Sequence, residues 1–242
     1  MARQSRAPTL LLTRPAPQSQ RFAEDLVARI GEVPVVIAPL MQTEFHQPAL
    51  PPFPFRAVIF TSETGVAAAL ALGQALPKRA FCVGNRTADA ARRAGFDAQS
   101  AGGEVNALAR MIQASGVEGP LLHLRGHDST GDLVETLTKG GLETVFLVVY
   151  TQKPANLIPE AAALFLHDQP VIVPIFSPRS ARLLAEAVPV NRRAPLWIVA
   201  ISAAAAKAAA DLSPARLVIA DHPDGENMLH AVAGLYISAG KA

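Results

Sequence analysis

The chain has 242 residues, of which 50% are apolar and 17% charged, with a net charge of +2. This length admits one or two domains with a sizeable core, and the composition excludes a disordered chain. Near-neutrality excludes a strongly basic nucleic-acid binder, and the single cysteine, Cys82, excludes a disulfide framework or a cysteine-rich zinc site. Behind the basic start the apolar run is only Leu10-Leu11-Leu12, too short for a signal-peptide core, and no stretch reaches 18 uncharged apolar residues. A cytoplasmic protein is expected.

In chain order, a strand is expected at 9–13, then a helix over 17–30 that places Phe22, Leu26 and Ile30 on one face and stops at Gly31. Strands follow at 33–38, 57–61 and 79–83, then a helix over 86–94 that ends before Gly95. A strand at 120–124 precedes a helix over 129–139, which carries Leu133 and Leu137 and stops at Gly140-Gly141. The remaining strands are expected at 144–150, 171–176, 195–201 and 216–220. Most are runs of Val, Ile, Leu and Phe without alternation, as in strands covered by helices on both faces. The class is therefore α/β with parallel sheets. A helix-free, proline-rich stretch from about 39 to 56 reads as a linker, and Tyr150–Pro154 as a second one.

The chain also repeats itself. Leu10–Pro15 matches Leu121–Gly126 at an offset of 111 residues, which also carries Leu26 onto Leu137 and the strand 33–38 onto 144–149. Ile59–Ser62 matches Ile175–Pro178 at 116, Phe81–Gly84 matches Val199–Ser202 at 118, and Gly103–Leu108 matches Asp224–Leu229 at 121. Four matches in one order, with so little drift, indicate two similar halves of about 120 residues.

Each half repeats one device, a buried strand ending in small hydroxyl residues or glycine where a helix begins. The cases are Thr61-Ser62, Gly84–Thr87, Ser177–Ser180 and Ser202. Each hydroxyl alone could be a helix cap. Several such turns at the carboxyl ends of parallel strands also suit a polyanion, because free N–H groups converge there. Arg14 and Arg125 follow the first strand of each half, where they could bind carboxylates or form structural ion pairs. Tyr150 ends an apolar strand as a packing residue or as a hydrogen-bond donor facing a cleft. Cys82 sits in a buried strand and is expected to pack rather than react. The histidines are scattered; His123 and His127 straddle a strand end and Gly126, a poor arrangement for a metal. There is no Walker loop, dinucleotide fingerprint or nucleophile elbow.

The ordered set Thr13-Arg14-Pro15, Phe60-Thr61-Ser62, Val83–Ala88, Leu124-Arg125-Gly126, Val149-Tyr150 and Phe176-Ser177-Pro178 resembles the uroporphyrinogen-III synthase family over nearly the whole chain. The resemblance implies two flavodoxin-like or Rossmann-like domains joined by a two-stranded linker. Residues 1–38 with 154–242 would form one domain, 50–147 the other, and 39–49 with 148–153 the ladder. It implies that a monomeric enzyme without cofactor or metal cyclises hydroxymethylbilane, a linear tetrapyrrole, to uroporphyrinogen III. Water is lost and ring D is inverted, whereas the unassisted substrate closes without inversion. Neither nucleic acid nor membrane is an implied partner. Tyr150 would act as the acid. Arg14, Thr61, Ser62, Gly84, Thr87, Arg125, Gly126, Ser177, Ser180 and Ser202 would bind substrate.

One stretch departs from the pattern. Where the family carries a second Gly-x-x-Thr-Ala turn like Gly84–Ala88, this chain has Ser202-Ala203-Ala204-Ala205-Ala206, which weakens the site in that half. Two other readings compete with the synthase: a non-catalytic two-domain anion-binding protein and a flavodoxin-like nucleotide-binding regulator. The absence of a phosphate loop counts against the regulator.

Overall fold

The computed structural model describes residues 7–128 and 132–240. In chain order the elements are β1 (Thr9–Leu12), α1 (Ala16–Ile30), β2 (Val35–Ile37), β3 (Met41–Phe45), β4 (Ala57–Phe60), α2 (Glu63–Ala71) and β5 (Arg79–Cys82). Then come α3 (Asn85–Arg93), β6 (Asp97–Ser100), α4 (Val105–Ala114), β7 (Leu121–Gly126), α5 (Leu133–Lys139), β8 (Thr144–Pro154) and α6 (Pro159–Leu164). The last are β9 (Val171–Ile175), α7 (Pro178–Ala187), β10 (Leu196–Ala200), α8 (Ala203–Ala208), a 3-10 turn (Ala210–Leu212), β11 (Arg216–Ile219) and α9 (Gly225–Gly240).

The chain divides into two compact units, one made of the segments before Thr43 and after Lys153, the other of Thr43–Lys153. The first unit holds a parallel sheet in the order β11-β10-β9-β1-β2. The second holds β3-β8-β7-β4-β5-β6, parallel from β8 to β6. β3 runs against β8: His46 N–H donates to the Val149 carbonyl and Ala155 N–H to the Leu40 carbonyl, so one index falls as the other rises.

The repeat is written into this topology. Exchanging β1 for β7, β2 for β8, β9 for β4, β10 for β5 and β11 for β6 turns the order of the first sheet into that of the five parallel strands of the second. The units thus share a spatial arrangement but start it at different strands. In both, the chain moves outward in opposite directions from a central pair, β1 and β9 in the first unit, β7 and β4 in the second. Such a switch point leaves a crevice beyond the carboxyl ends of the two strands.

Both sheets are covered on both faces, which is why their central strands read as unbroken apolar runs. In the first unit Leu10 and Leu12 pack with Phe22 and Leu26 of α1 and Met228 and Val232 of α9. Leu11 faces the opposite side with Ala181 and Leu184 of α7 and Ala205 of α8. In the second unit Val58, Phe60, Leu122 and Leu124 meet Val66 of α2 and Ala88 and Ala91 of α3. Ala57, Ile59 and Leu121 meet Leu108 and Ile112 of α4 and Leu133 and Leu137 of α5.

All nine expected strands are present among the described residues. Two further strands lie outside the expectation. β3 occupies part of the stretch taken as a linker, and β8 runs on through Pro154 beside it. β6 forms the opposite edge, with only Ala98 buried. Both additions are edge strands with one solvated side, so they lack the apolar run that marks the central ones. Helices α4, α6 and α9 were likewise not among the expected helices. Of the helix expected over 129–139, residues 129–131 lie outside the described residues, as does the basic start at residues 1–6.

Leu26 and Leu137 hold equivalent places under the repeat and are both 0% exposed. Leu26→Ala and Leu137→Ala are each expected to cost about 2–5 kcal/mol of stability, through lost transfer energy and the cavity left behind. Urea unfolding followed by circular dichroism measures this.

Candidate functional site

At the first unit's switch point, β1 runs into Thr13, which is buried, and Arg14, which is half-buried. Ser19 Oγ, one turn into α1, donates to the Arg14 carbonyl at 2.9 Å and ties down the turn. The Arg14 guanidinium lies over the Phe176 ring, 4.3 Å from its centroid. Phe176 follows β9. Next to it, Ser177 Oγ caps α7 by accepting the Ser180 N–H at 3.1 Å, and the two serine hydroxyls lie 2.6 Å apart.

Ser202 caps α8 in the same way, accepting the Ala205 N–H at 3.3 Å. In the second unit Gly84 is the N-cap of α3 and Thr87 is buried in that helix's first turn. The position equivalent to Thr87 is Ala205, a fully buried core residue. The donor absent from the sequence there is replaced by packing.

The second unit's switch point is more polar. Ser62 caps α2, its Oγ accepting the Gly65 N–H at 3.0 Å, and the same oxygen lies 3.0 Å from the Tyr150 hydroxyl. Ser62, Ser177 and Ser202 therefore do act as caps. Capping by itself uses only a lone pair of each hydroxyl, because a hydroxyl has one proton and two lone pairs.

Tyr150 reaches Ser62 because of an irregularity in the sheet. Arg125 pairs with Val148 but Gly126 pairs with Tyr150, so Val149 is an extra residue on β8. Strict alternation would put Tyr150 on the face of Phe146 and Val148. The bulge returns it to the face of Leu147 and Val149, against the core shared with α2 and α3. His127 N–H then donates to the Tyr150 carbonyl at 2.9 Å. The ring lies directly on Gly126: a Cβ there would stand 2.6 Å from two ring carbons and 2.9 Å from the hydroxyl oxygen.

Thr61, His123 and Arg125 lie on the opposite face, toward α4 and α5. Thr61 Oγ1 is 3.3 Å from His123 Nε2. His123 is 3% exposed, and its Nδ1 is buried without a partner among the described residues. Burial first, and the nearby Arg125 cation second, push its pKa down to about 4. The Arg125 guanidinium lies over the Phe146 ring at 4.3 Å, with its Nε buried and without a hydrogen-bond partner among the described residues. These two residues line a cleft of about 360 Å³ with Val134, Thr138 and Lys139 of α5. Arg14 and Arg125 thus share a cation–π support, each from a different neighbouring strand or strand end.

Cys82 is fully buried, and desolvation pushes its thiol up to about 11, so it packs as an uncharged core residue. His127 pairs with Asp128 at the surface, apart from His123. Among the described residues no cluster of three or more His, Cys, Asp or Glu could hold a metal. From the sequence His123 is weighed only as a metal ligand beside His127, not as a partner of Thr61. Its signal was a lone polar residue in the run Leu121–Leu124, two places before Arg125 and hence on the same face of the strand.

Residues 20–230 match the uroporphyrinogen-III synthase HemD family. The chain belongs to this family. It shares its fold with the crystal structure of uroporphyrinogen-III synthetase from Helicobacter pylori, with a TM-score of 0.66 and 19% identity over 94% of this chain and 99% of that one. A mutant uroporphyrinogen III synthase from Thermus thermophilus aligns with a TM-score of 0.49 and 15% identity over 96% of this chain and 99% of that one. No curated protein sequence matches significantly. Uroporphyrinogen-III synthases are cyclising lyases, so membership supports the enzyme reading and not the non-catalytic binder.

Two outcomes follow from this geometry. Gly126→Ala is expected to displace the Tyr150 ring and lower kcat by about tenfold, less than the roughly 100-fold or more that a general acid contributes, with the fold retained. Steady-state kinetics with circular dichroism checks this. The second concerns acid stability. His123 stays neutral in the folded chain down to about 4, whereas in the unfolded chain it takes a proton near 6.5. As pH falls between these values only the unfolded state gains that proton, so stability drops, by about 2 kcal/mol at pH 5. Urea midpoints should show wild type losing more than His123→Gln between pH 7 and pH 5.

Proposed function

We propose that this chain converts hydroxymethylbilane to uroporphyrinogen III, with Tyr150 as the acid that releases the substrate hydroxyl. The observation that carries the reading is the Tyr150–Ser62 pair, aimed by a bulge at the switch point of a chain in this family. Pyrrole nitrogen electrons expel the hydroxyl as the Tyr150 proton reaches it, so water leaves and a protonated azafulvene, an azafulvenium cation, remains beside the Tyr150 phenolate, which can take back the proton lost at the end. Ser62 lies within hydrogen-bond reach of the resulting phenolate and can turn its own O–H toward it. The substituted carbon of the last pyrrole then attacks the azafulvene methylene to give a spiro intermediate. Breaking of one carbon–carbon bond and reclosure with ring D inverted, with loss of a proton, gives the product.

Because the unassisted substrate closes without inversion, the enzyme's main work is holding the chain folded for the harder attack. The substrate's eight carboxylates match the available donors. Arg14 and Arg125 supply charge on rigid aromatic supports. Thr61, Ser62, Ser177, Ser180 and Ser202 supply hydroxyls, and Gly84, Thr87 and Gly126 mark places where the carboxyl ends of strands meet the first turns of helices or an open backbone. The reading invokes no cofactor, metal, nucleic acid or membrane, and takes the enzyme to be a cytoplasmic monomer. Among the described residues no helix is long and apolar enough to cross a membrane. Residues 1–38 with 154–242, and 50–147, serve as its two domains, and 39–49 with 148–153 as the connecting ladder.

Incubation with freshly prepared hydroxymethylbilane, followed by separation of isomers, is expected to give the type III product. Type I product alone would overturn the reading. Tyr150→Phe is expected to lower kcat by about 100-fold, the loss of one general acid, while KM stays within about twofold.

A further inference from the structure

The repeat supplies an internal control for the second unit's switch point. Under the offset that carries Arg14 onto Arg125, His123 corresponds to Leu12, which is 2% exposed and packs in the core of the first unit. The sheet registers, Leu10 with Ile172 and Leu121 with Ala57, shift the match of these turns by one residue from the sequence alignment, so that the caps Ser62 and Ser177 are equivalent and Thr61 lies opposite Phe176, which packs against the same core. One unit therefore has an apolar pair, Leu12 and Phe176, where the other has the polar pair His123 and Thr61. The fold does not demand a histidine here. A buried imidazole costs stability unless its polar atoms are engaged, and among the described residues the one hydrogen-bond partner of His123 is Thr61, through Nε2.

The ring is neutral at physiological pH and so carries one N–H. If that proton sat on Nδ1, it would be a buried donor with no acceptor, because Nδ1 has no partner among the described residues. Orphaned buried N–H groups are rarer and costlier than under-used acceptors. The proton therefore belongs on Nε2, which donates to Thr61 Oγ1. A hydroxyl that accepts from one side has its single proton left for the other. In the opposite tautomer Thr61 would give its proton to the ring and turn lone pairs toward an incoming anion.

We infer that His123 is a positioning residue: protonated at Nε2, it donates to Thr61 and thereby commits the Thr61 hydroxyl proton to a substrate carboxylate. This rests on the assignment of Thr61 to substrate binding above.

The experiment has two arms, both on the full chain. In the first, long-range 1H–15N correlation of histidine-labelled protein assigns the tautomer; the Nε2–H form is expected, and the Nδ1–H form would overturn the inference. In the second, kinetics with hydroxymethylbilane compare variants. His123→Leu, which installs the first unit's residue, is expected to raise KM about tenfold, the scale of one hydrogen bond to a charged acceptor, with kcat within about twofold. His123→Gln, whose amide N–H can reach Thr61, is expected to recover most of that loss. In a Thr61→Val background His123→Leu should add nothing. An unchanged KM in folded His123→Leu, or additive effects in the double variant, would overturn the inference. Should His123→Leu fail to fold, the Gln variant and the tautomer decide. If wild type forms no uroporphyrinogen III, the functional reading fails instead, and the tautomer alone settles the direction of the His123–Thr61 bond.

Discussion

The arrangement of polar groups at the end of the second sheet depends on one steric allowance. The Tyr150 ring occupies the space that any side chain on residue 126 would fill. Three levels of structure meet at this contact. The sheet contributes an extra residue, Val149, that turns Tyr150 to the α2 face. The chain contributes a bare Cα at Gly126 for the ring to lie on. The helix contributes Ser62, fixed by its cap bond to Gly65 N–H, as the partner of the phenol. Gly65 is itself tight: a Cβ there would stand 3.1 Å from the Leu124 carbonyl oxygen. The hydroxyl pair is thus held by backbone on both sides, and little of its placement depends on flexible side chains.

Duplication has left the units alike in topology and different in chemistry. Both carry an arginine at the carboxyl end of the strand on one side of the switch point, Arg14 just past β1 and Arg125 one residue before the end of β7, and a capping serine after the strand on the other. In the first unit the arginine leans on Phe176, the residue just before its serine. In the second the same place is Thr61, which offers no ring, and Arg125 leans instead on Phe146 of β8. That exchange leaves Thr61 to His123. The first unit has no tyrosine at the corresponding place: the offset that carries Arg14 onto Arg125 sets Pro39 against Tyr150. The tyrosine belongs to one unit, while arginines and capping hydroxyls are found in both.

Much of this was legible in the sequence, and what was missed has physical reasons. Central strands such as Val171–Ile175 and Leu196–Ala200 are buried on both sides and announce themselves as apolar runs. Edge strands do not: Met41–Phe45 and Asp97–Ser100 carry polar residues toward solvent and read as loop. The hydroxyl turns, both arginines and Tyr150 were visible as residue types at strand ends. Their mutual arrangement was not. A bulge is a property of pairing between two strands, so no local pattern in Val148-Val149-Tyr150 reveals it. The tie between Thr61 and His123 spans two strands 62 residues apart. A lone histidine among leucines was a clue only once its face of the sheet was known.

The place where the chain leaves the first unit has a kinetic consequence. β2 and β9 are neighbours of β1 on either side, yet the whole second unit is threaded between them in sequence. The interruption begins and ends where Ala155 N–H meets the Leu40 carbonyl at 2.9 Å. Once β3 and β8 have paired, the long excursion acts on the rest of the chain as a short closed hairpin, and the entropy of bringing its ends together has already been spent. The continuous unit also leaves the ribosome before β9, β10 and β11 exist. Topology and order of synthesis therefore both favour assembly from the inside out, with the β3–β8 pairing returning the chain to β1 for the discontinuous unit to be completed.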